Sequence, residues 1–148
     1  MDAPLTLTAS TAGDRFAVAA PIPVRLALTN QSANPVWING RLGVGYPDGL
    51  CREIFFTVRD DAGRVLPVPD AVRVDAHRLP PTQLDFVQLR PRQAVTGQLD
   101  LALWCPFEQP GSFSVEFHYQ NSDDGSAFGL AAFTGRVDAG GIRLQILP

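Results

Sequence analysis

The sequence predicts an all-β chain folded as a single domain, residues 1–148, in two stacked antiparallel sheets of about seven to nine strands. Three observations carry that expectation. Apolar and polar residues alternate in several short stretches, most cleanly from Gly111 to Gln120, where Phe113, Val115, Phe117 and Tyr119 oppose Ser112, Ser114, Glu116 and His118. Glycine and proline, 13 of each, cut the chain into short runs separated by turns. No stretch shows a capped 3.6-residue apolar period, so the crossover helices that a parallel sheet requires are missing. A closed barrel is the alternative these patterns leave open.

Taken in order, Leu5 and Leu7 alternate with Thr6 and Thr8 in a first strand, broken at Thr11-Ala12-Gly13-Asp14 before Phe16 and Val18. It reads as one edge strand with a break. From Pro21 to Asn30, Ile22, Val24, Leu26 and Leu28 face one way. Pro23 lies on the outward phase, which requires its missing N–H to fall at a strand end or on an unpaired side. Asn30 to Cys51 is a long connection with one extended piece at Val36 to Ile38, and long loops are often functional, so it is the first place to seek a binding surface. Ile54, Phe56 and Val58 oppose Glu53, Thr57 and Arg59, with Phe55 apolar on the outward phase. Asp60-Asp61-Ala62-Gly63 then signals a hairpin.

A proline-rich passage from Pro67 to Pro81 holds a short strand at Ala71 to Asp75. Leu84 to Leu89 is strand-like and Arg90 to Gln93 a turn. Val95, Leu99, Leu101 and Leu103 share a phase and read as the next strand, Gly97 and the alternation outweighing a helical composition. Ala127 to Val137 is apolar without a period and reads as a loop packed on the domain. Ile142, Leu144 and Ile146 make the last strand.

Composition excludes several chemistries. A formal net charge of -3 argues against sequence-independent nucleic-acid binding, which needs a basic field. All 12 basic residues are arginine, so Schiff-base lysines, Ser-Lys dyads and the lysine of a P-loop are absent. No apolar run approaches the roughly 18 residues of a membrane-spanning helix. The opening MDAPLTLTAS lacks the charged and apolar regions of a secretory leader, so a cytoplasmic location is expected, or a periplasmic or secreted one if a leader has been removed.

The order of turns and strands resembles a bacterial immunoglobulin-like or fibronectin-III-like β-sandwich. The likeness rests on Thr29-Asn30, Pro35-Val36-Trp37-Ile38-Asn39 with Arg41-Leu42, Asp61-Ala62-Gly63-Arg64, Leu89-Arg90-Pro91 and Pro110-Gly111-Ser112-Phe113-Ser114-Val115. More distantly the chain is similar to the intracellular proteinase inhibitor type of sandwich. The resemblance implies a fold far more than an activity. It has two departures: Phe113 stands where related sandwiches place a tyrosine that bonds back to the backbone, and Cys51 and Cys105 flank strands rather than facing one another across the sheets.

Candidate chemistry is sparse. Cys51 and Cys105 are either one disulfide, worth on the order of 4 kcal/mol, or two separate thiols, the latter favoured without a leader. His77 and His118 are the only histidines and neither has a cysteine-protease setting. His118, with Glu116 on its face, reads as half of a cross-strand surface pair. No set of His and Cys has metal-ligand spacing, Asp123-Asp124-Gly125 reads as a solvated turn, and no G-x-S-x-G elbow or cofactor motif occurs. We therefore expect no catalytic residues, no metal, no cofactor and no enzyme activity. Trp104 is expected to close one end of the core. Trp37, Arg41 and Tyr46, residue types that dominate interface hot spots, lie together on the long connection and are the candidate contacts. The expected function is a non-catalytic module that binds another protein, with a proteinase inhibitor as a narrower form. The alternative is a carbohydrate-binding sandwich stacking sugars on Trp37, Tyr46 or Phe55.

Overall fold

The computed structural model describes residues 3–42, 53–67 and 80–148. Its strands are β1 (Leu5–Thr11), β2 (Arg15–Ala17), β3 (Pro23–Asn30), β4 (Val36–Asn39), β5 (Ile54–Asp60), β6 (Phe86–Leu89), β7 (Ala94–Asp100), β8 (Gly111–Asn121), β9 (Gly135–Asp138) and β10 (Ile142–Leu147). One turn of helix, α1 (Leu101–Trp104), separates β7 from β8. The Pro67 to Pro81 passage lies largely outside the described residues, as does its expected strand at Ala71 to Asp75.

A three-stranded sheet, β1-β3-β7, packs on a five-stranded one, β2-β10-β8-β5 with β9 also paired to β8, and β4 pairs with β6 apart from both. Strands that neighbour one another are rarely consecutive in the chain, which is the Greek-key layout of an immunoglobulin-like sandwich. Side chains from the two inner faces form a single core, with Leu7, Leu26 and Leu28 from one sheet and Val58, Val115, Phe117 and Leu144 from the other. The alternation in β3, β5, β8 and β10 falls as the sequence predicts. Pro23, at the first residue of β3, is exposed.

Two interruptions are more than breaks. β1 runs antiparallel to β3, whereas β2 runs parallel to β10, so the turn at Ala12 to Asp14 carries the chain from one sheet to the other. β9 and β10 follow one another along the same edge of β8. Between the pairs His118↔Asp138 and Val115↔Ile142, β8 advances three residues and its partner four. The extra residue makes a bulge at Ala139 to Gly141, where the Ala139 N–H still donates to the Phe117 carbonyl at 2.8 Å. The apolar run Ala127 to Val137 thus ends in a strand instead of staying a loop. A four-residue strand with one inward side chain, Val137, is too short to show a period.

The expected continuation of β7 through Leu101 and Leu103 is also corrected. Asp100 ends the strand by accepting the Ala102 N–H at 3.0 Å, an N-cap, and the Ile22 N–H at 2.8 Å. The helical turn it starts buries Leu101 and Trp104 and leaves Leu103 outside, 68% exposed. Trp104 belongs to the core cluster, as expected of a residue that closes one end.

The two ends of the sandwich differ. Near Gly111 the filling is aromatic, with the Phe107 and Phe113 rings 4.8 Å apart. At the Asn121 end it is polar and fully bonded. The Tyr119 hydroxyl donates to the Asn39 carbonyl at 2.7 Å, and the Asn121 amide donates to the Asp123 and Phe133 carbonyls at 2.7 Å each. Asn30 likewise donates to the Asn34 and Leu89 carbonyls. No described buried side-chain N or O lacks a partner, so this end costs little desolvation. Phe113 has no hydroxyl, and the buried tyrosine hydroxyl of β8 is that of Tyr119, at the opposite end.

Phe117→Ala is expected to destabilise the fold by about 3–5 kcal/mol, and Leu103→Ala by less than about 0.5 kcal/mol. Urea unfolding of both variants measures the contrast, which vanishes if the two side chains have similar surroundings.

Candidate functional site

Of the expected contact residues, Trp37 lies on β4 and is half-buried, its carbonyl accepting the Phe133 N–H at 2.8 Å. Arg41 is turned inward. Its Nε is bonded to Oε1 of the fully buried Glu53, and its Nη1 lies 3.8 Å from Asp85. Tyr46 and Cys51 lie outside the described residues, so Trp37 and Arg41 are the expected contacts whose surroundings are visible. Cys105 is a free, buried thiol whose pKa burial pushes up to about 11. At neutral pH it is protonated and a poor nucleophile.

His118 is not the exposed half of a pair with Glu116. It is only 3% exposed because Phe55, Arg136 and Asp138 cover it on the outer face of the five-stranded sheet. Its Nδ1 lies 2.6 Å from Asp138 Oδ1, and its Nε2 lies 3.2 Å from Thr57 Oγ1. Arg136 bonds Asp138 at 2.7 Å and sits 5.1 Å above the Phe55 ring.

Hydroxyl, imidazole and carboxylate stand here in the order of a nucleophile, its base and the orienting acid. The order alone does not make an active site. Thr57 and His118 lie in the paired stretch of β5 and β8, where the ladder engages β8 on both edges and β5 on the edge that faces it. Neither residue lines a described cavity. The cluster instead ties the short β9 to β8.

Asp123 and Asp124 act locally. Asp123 accepts the Gly125 N–H and Asp124 the Ser126 N–H, each at 2.9 Å. The bond from Ser126 lowers the Asp124 pKa. Among the described residues, no three His, Cys, Asp or Glu side chains are grouped to hold a metal ion, and no helix is long and apolar enough to cross a membrane.

The feature that sequence reasoning missed lies at the apolar end. A cleft of about 530 Å³ opens there, with Val18, Ala19, Ile22, Leu103, Phe107 and Ile146 in its lining. Its walls are fixed by backbone bonds, from Val18 N–H to the Leu147 carbonyl at 3.0 Å and from Leu101 N–H to the Ile22 carbonyl at 2.9 Å. Ala19 holds a positive φ of 66°, a conformation that costs an L-residue on the order of 1 kcal/mol and that clusters at functional sites. The signal for this site was Asp100 before Leu-Ala-Leu-Trp with Pro106 behind, a cap and a stop around one helical turn.

No family model and no curated protein matches the sequence. Among solved structures, the chain is similar to the CARDB domain of a Pyrococcus furiosus protein, determined in solution by NMR. The match has 11% identity and a TM-score of 0.44, and covers 97% of this chain and 94% of that one. A likeness at that level carries no functional assignment.

Two measurements probe the polar clusters. Arg41→Met leaves the Glu53 carboxylate buried without this partner and is expected to cost about 3–5 kcal/mol, much of it recovered in the double variant Arg41→Met/Glu53→Met. Additive costs in a double-mutant cycle would contradict the pairing. The Asp138 pKa is lowered, first by the hydrogen bond from Arg136 and then by that from His118. A lowered folded pKa stabilises the protein above the ordinary carboxylate value, and that stabilisation is lost as pH falls through the folded value. Asp138→Asn is therefore expected to reduce stability at pH 6 and to flatten the loss below about pH 4. An acid limb as steep as the parent's would contradict this.

Proposed function

We propose that this protein is a non-catalytic module that binds another protein through the apolar end of the sandwich. The observation that carries the reading is Leu103, a large apolar side chain 68% exposed on a capped helical turn at the lip of a 530 Å³ cleft. Exposed apolar surface around a preformed concavity favours a partner's apolar side chain, and a rigid lip keeps the ordering cost of binding low. The inert Cys105 thiol and the closed polar clusters support a role in recognition over catalysis. So does Arg41, whose guanidinium is engaged with Glu53, which moves the proposed contact from the Asn30 to Cys51 connection to the opposite end. A proteinase inhibitor is the narrower form, with Leu103 entering an apolar specificity pocket.

The test is affinity capture from an extract of the native host, run in parallel with the parent chain, Leu103→Asp and Leu84→Asp. Leu84 is 92% exposed and outside the cleft. A partner retained by the parent and by Leu84→Asp but lost with Leu103→Asp supports the proposal, with an expected loss of at least about tenfold. Equal retention by both variants overturns it, as does the absence of any retained protein.

A further inference from the structure

The outer face of the five-stranded sheet carries a second feature, distinct from the Leu103 cleft. β5 and β10 flank β8 and both pair with it over Phe113 to Val115; at Ser114 the partner is Arg59 on one side and Arg143 on the other. Val58, Val115 and Leu144, next along each strand, are buried, so all three paired residues point outward. Adjacent strands lie about 4.8 Å apart, which puts the two arginine Cα atoms about 10 Å apart with a serine hydroxyl midway. An arginine side chain is longer than half that gap.

Both guanidiniums retain donors. Among the described residues Arg143 makes no side-chain hydrogen bond or ion pair, and Arg59 makes one bond, to the Gly63 carbonyl at 3.3 Å. Asp60, the nearest carboxylate in sequence, is committed elsewhere: its Oδ1 accepts the Ala62 and Arg64 N–H groups at 3.0 and 2.9 Å, and its Oδ2 is 3.0 Å from Arg64 Nε. The row also lies in a hollow. Arg59, Ser112, Ser114, Arg143 and Gln145 line a concavity of about 400 Å³, with Asp14, Asp61 and the Arg64-bonded Asp60 also in its wall.

We propose that this hollow binds one oxyanion group, a carboxylate, sulfate or phosphate monoester, held by Arg59 and Arg143 from either side and by the Ser114 hydroxyl from below. Arginine matches such groups with paired N–H donors, and hydrogen bonds to a charged acceptor are roughly twice as strong as neutral ones. Asp14 and Asp61 set the ligand class. They repel a polyanion and accept hydroxyl or ammonium groups, so the ligand is a small molecule or glycan unit with a single anionic group on a neutral or cationic body.

The experiment is an NMR amide titration of the full chain at fixed ionic strength with sodium phosphate, sodium sulfate, sodium acetate and glucuronate. Saturable shifts centred on Ser114 are expected, with affinity reduced at least about tenfold in Arg143→Gln and in Arg59→Gln. Arg25→Gln, which removes an exposed arginine on the other sheet, is expected to leave the affinity unchanged. Tighter binding of glucuronate than of acetate identifies a sugar acid. Tighter binding of phosphate or sulfate than of both carboxylates identifies an ester. Shifts that never saturate, or that weaken equally in Arg25→Gln and Arg143→Gln, overturn the proposal.

Discussion

An eleven-residue strand inside a sheet needs a partner for its backbone on both edges, and the architecture follows from how β8 is satisfied. β5 serves one edge from Phe113 to Tyr119. On the other edge β10 serves Gly111 to Val115 and β9 serves His118 to Asn121, with the Ala139 N–H filling the gap at Phe117. The bulge allows two short strands to do the work of one long one while Val137 and Leu144 both stay on the inner face. Because β8 runs the length of the molecule, its termini also fix what each end is made of. Phe113 meets Phe107 at one end, and Tyr119 and Asn121 meet a polar cap at the other.

What the sequence revealed is what period two can encode. The inward faces of β3, β5, β8 and β10 are legible because each strand has one buried face and enough residues to repeat the pattern. The crossing at Ala12 to Asp14 is invisible because a strand that changes sheet keeps its alternation while its partners change. β9 is invisible because four residues hold one inward side chain. Leu101 and Leu103 misled because positions two apart on a strand share a face, whereas on a helical turn they diverge, and the deciding residue was the cap at Asp100.

The functional residues were harder to read for a related reason. Arg41 has the composition of a hot spot, but the partner that claims it, Glu53, lies twelve residues along the chain and is brought close by folding. His118 stands on the outward phase, and outward does not mean exposed when β9 lays Arg136 and Asp138 beside it and β5 supplies Phe55. Periodicity assigns a side chain to a face of a sheet. Neighbouring strands decide whether that face is wet.

The same distinction separates catalysis from recognition on this scaffold. A regular ladder consumes the N–H and C=O groups of its strands, so what the outer face offers a ligand is side chains, in rows set by register. Such a row can place two guanidiniums about a hydroxyl, or a hydroxyl beside an imidazole, with good precision. It does not supply the free backbone donors or the enclosed, water-poor volume that stabilise charge as bonds rearrange. Thr57, His118 and Asp138 meet the first condition, and Arg59, Ser114 and Arg143 meet it by the same register logic. Which side chains share a row therefore sets what this face presents to its surroundings.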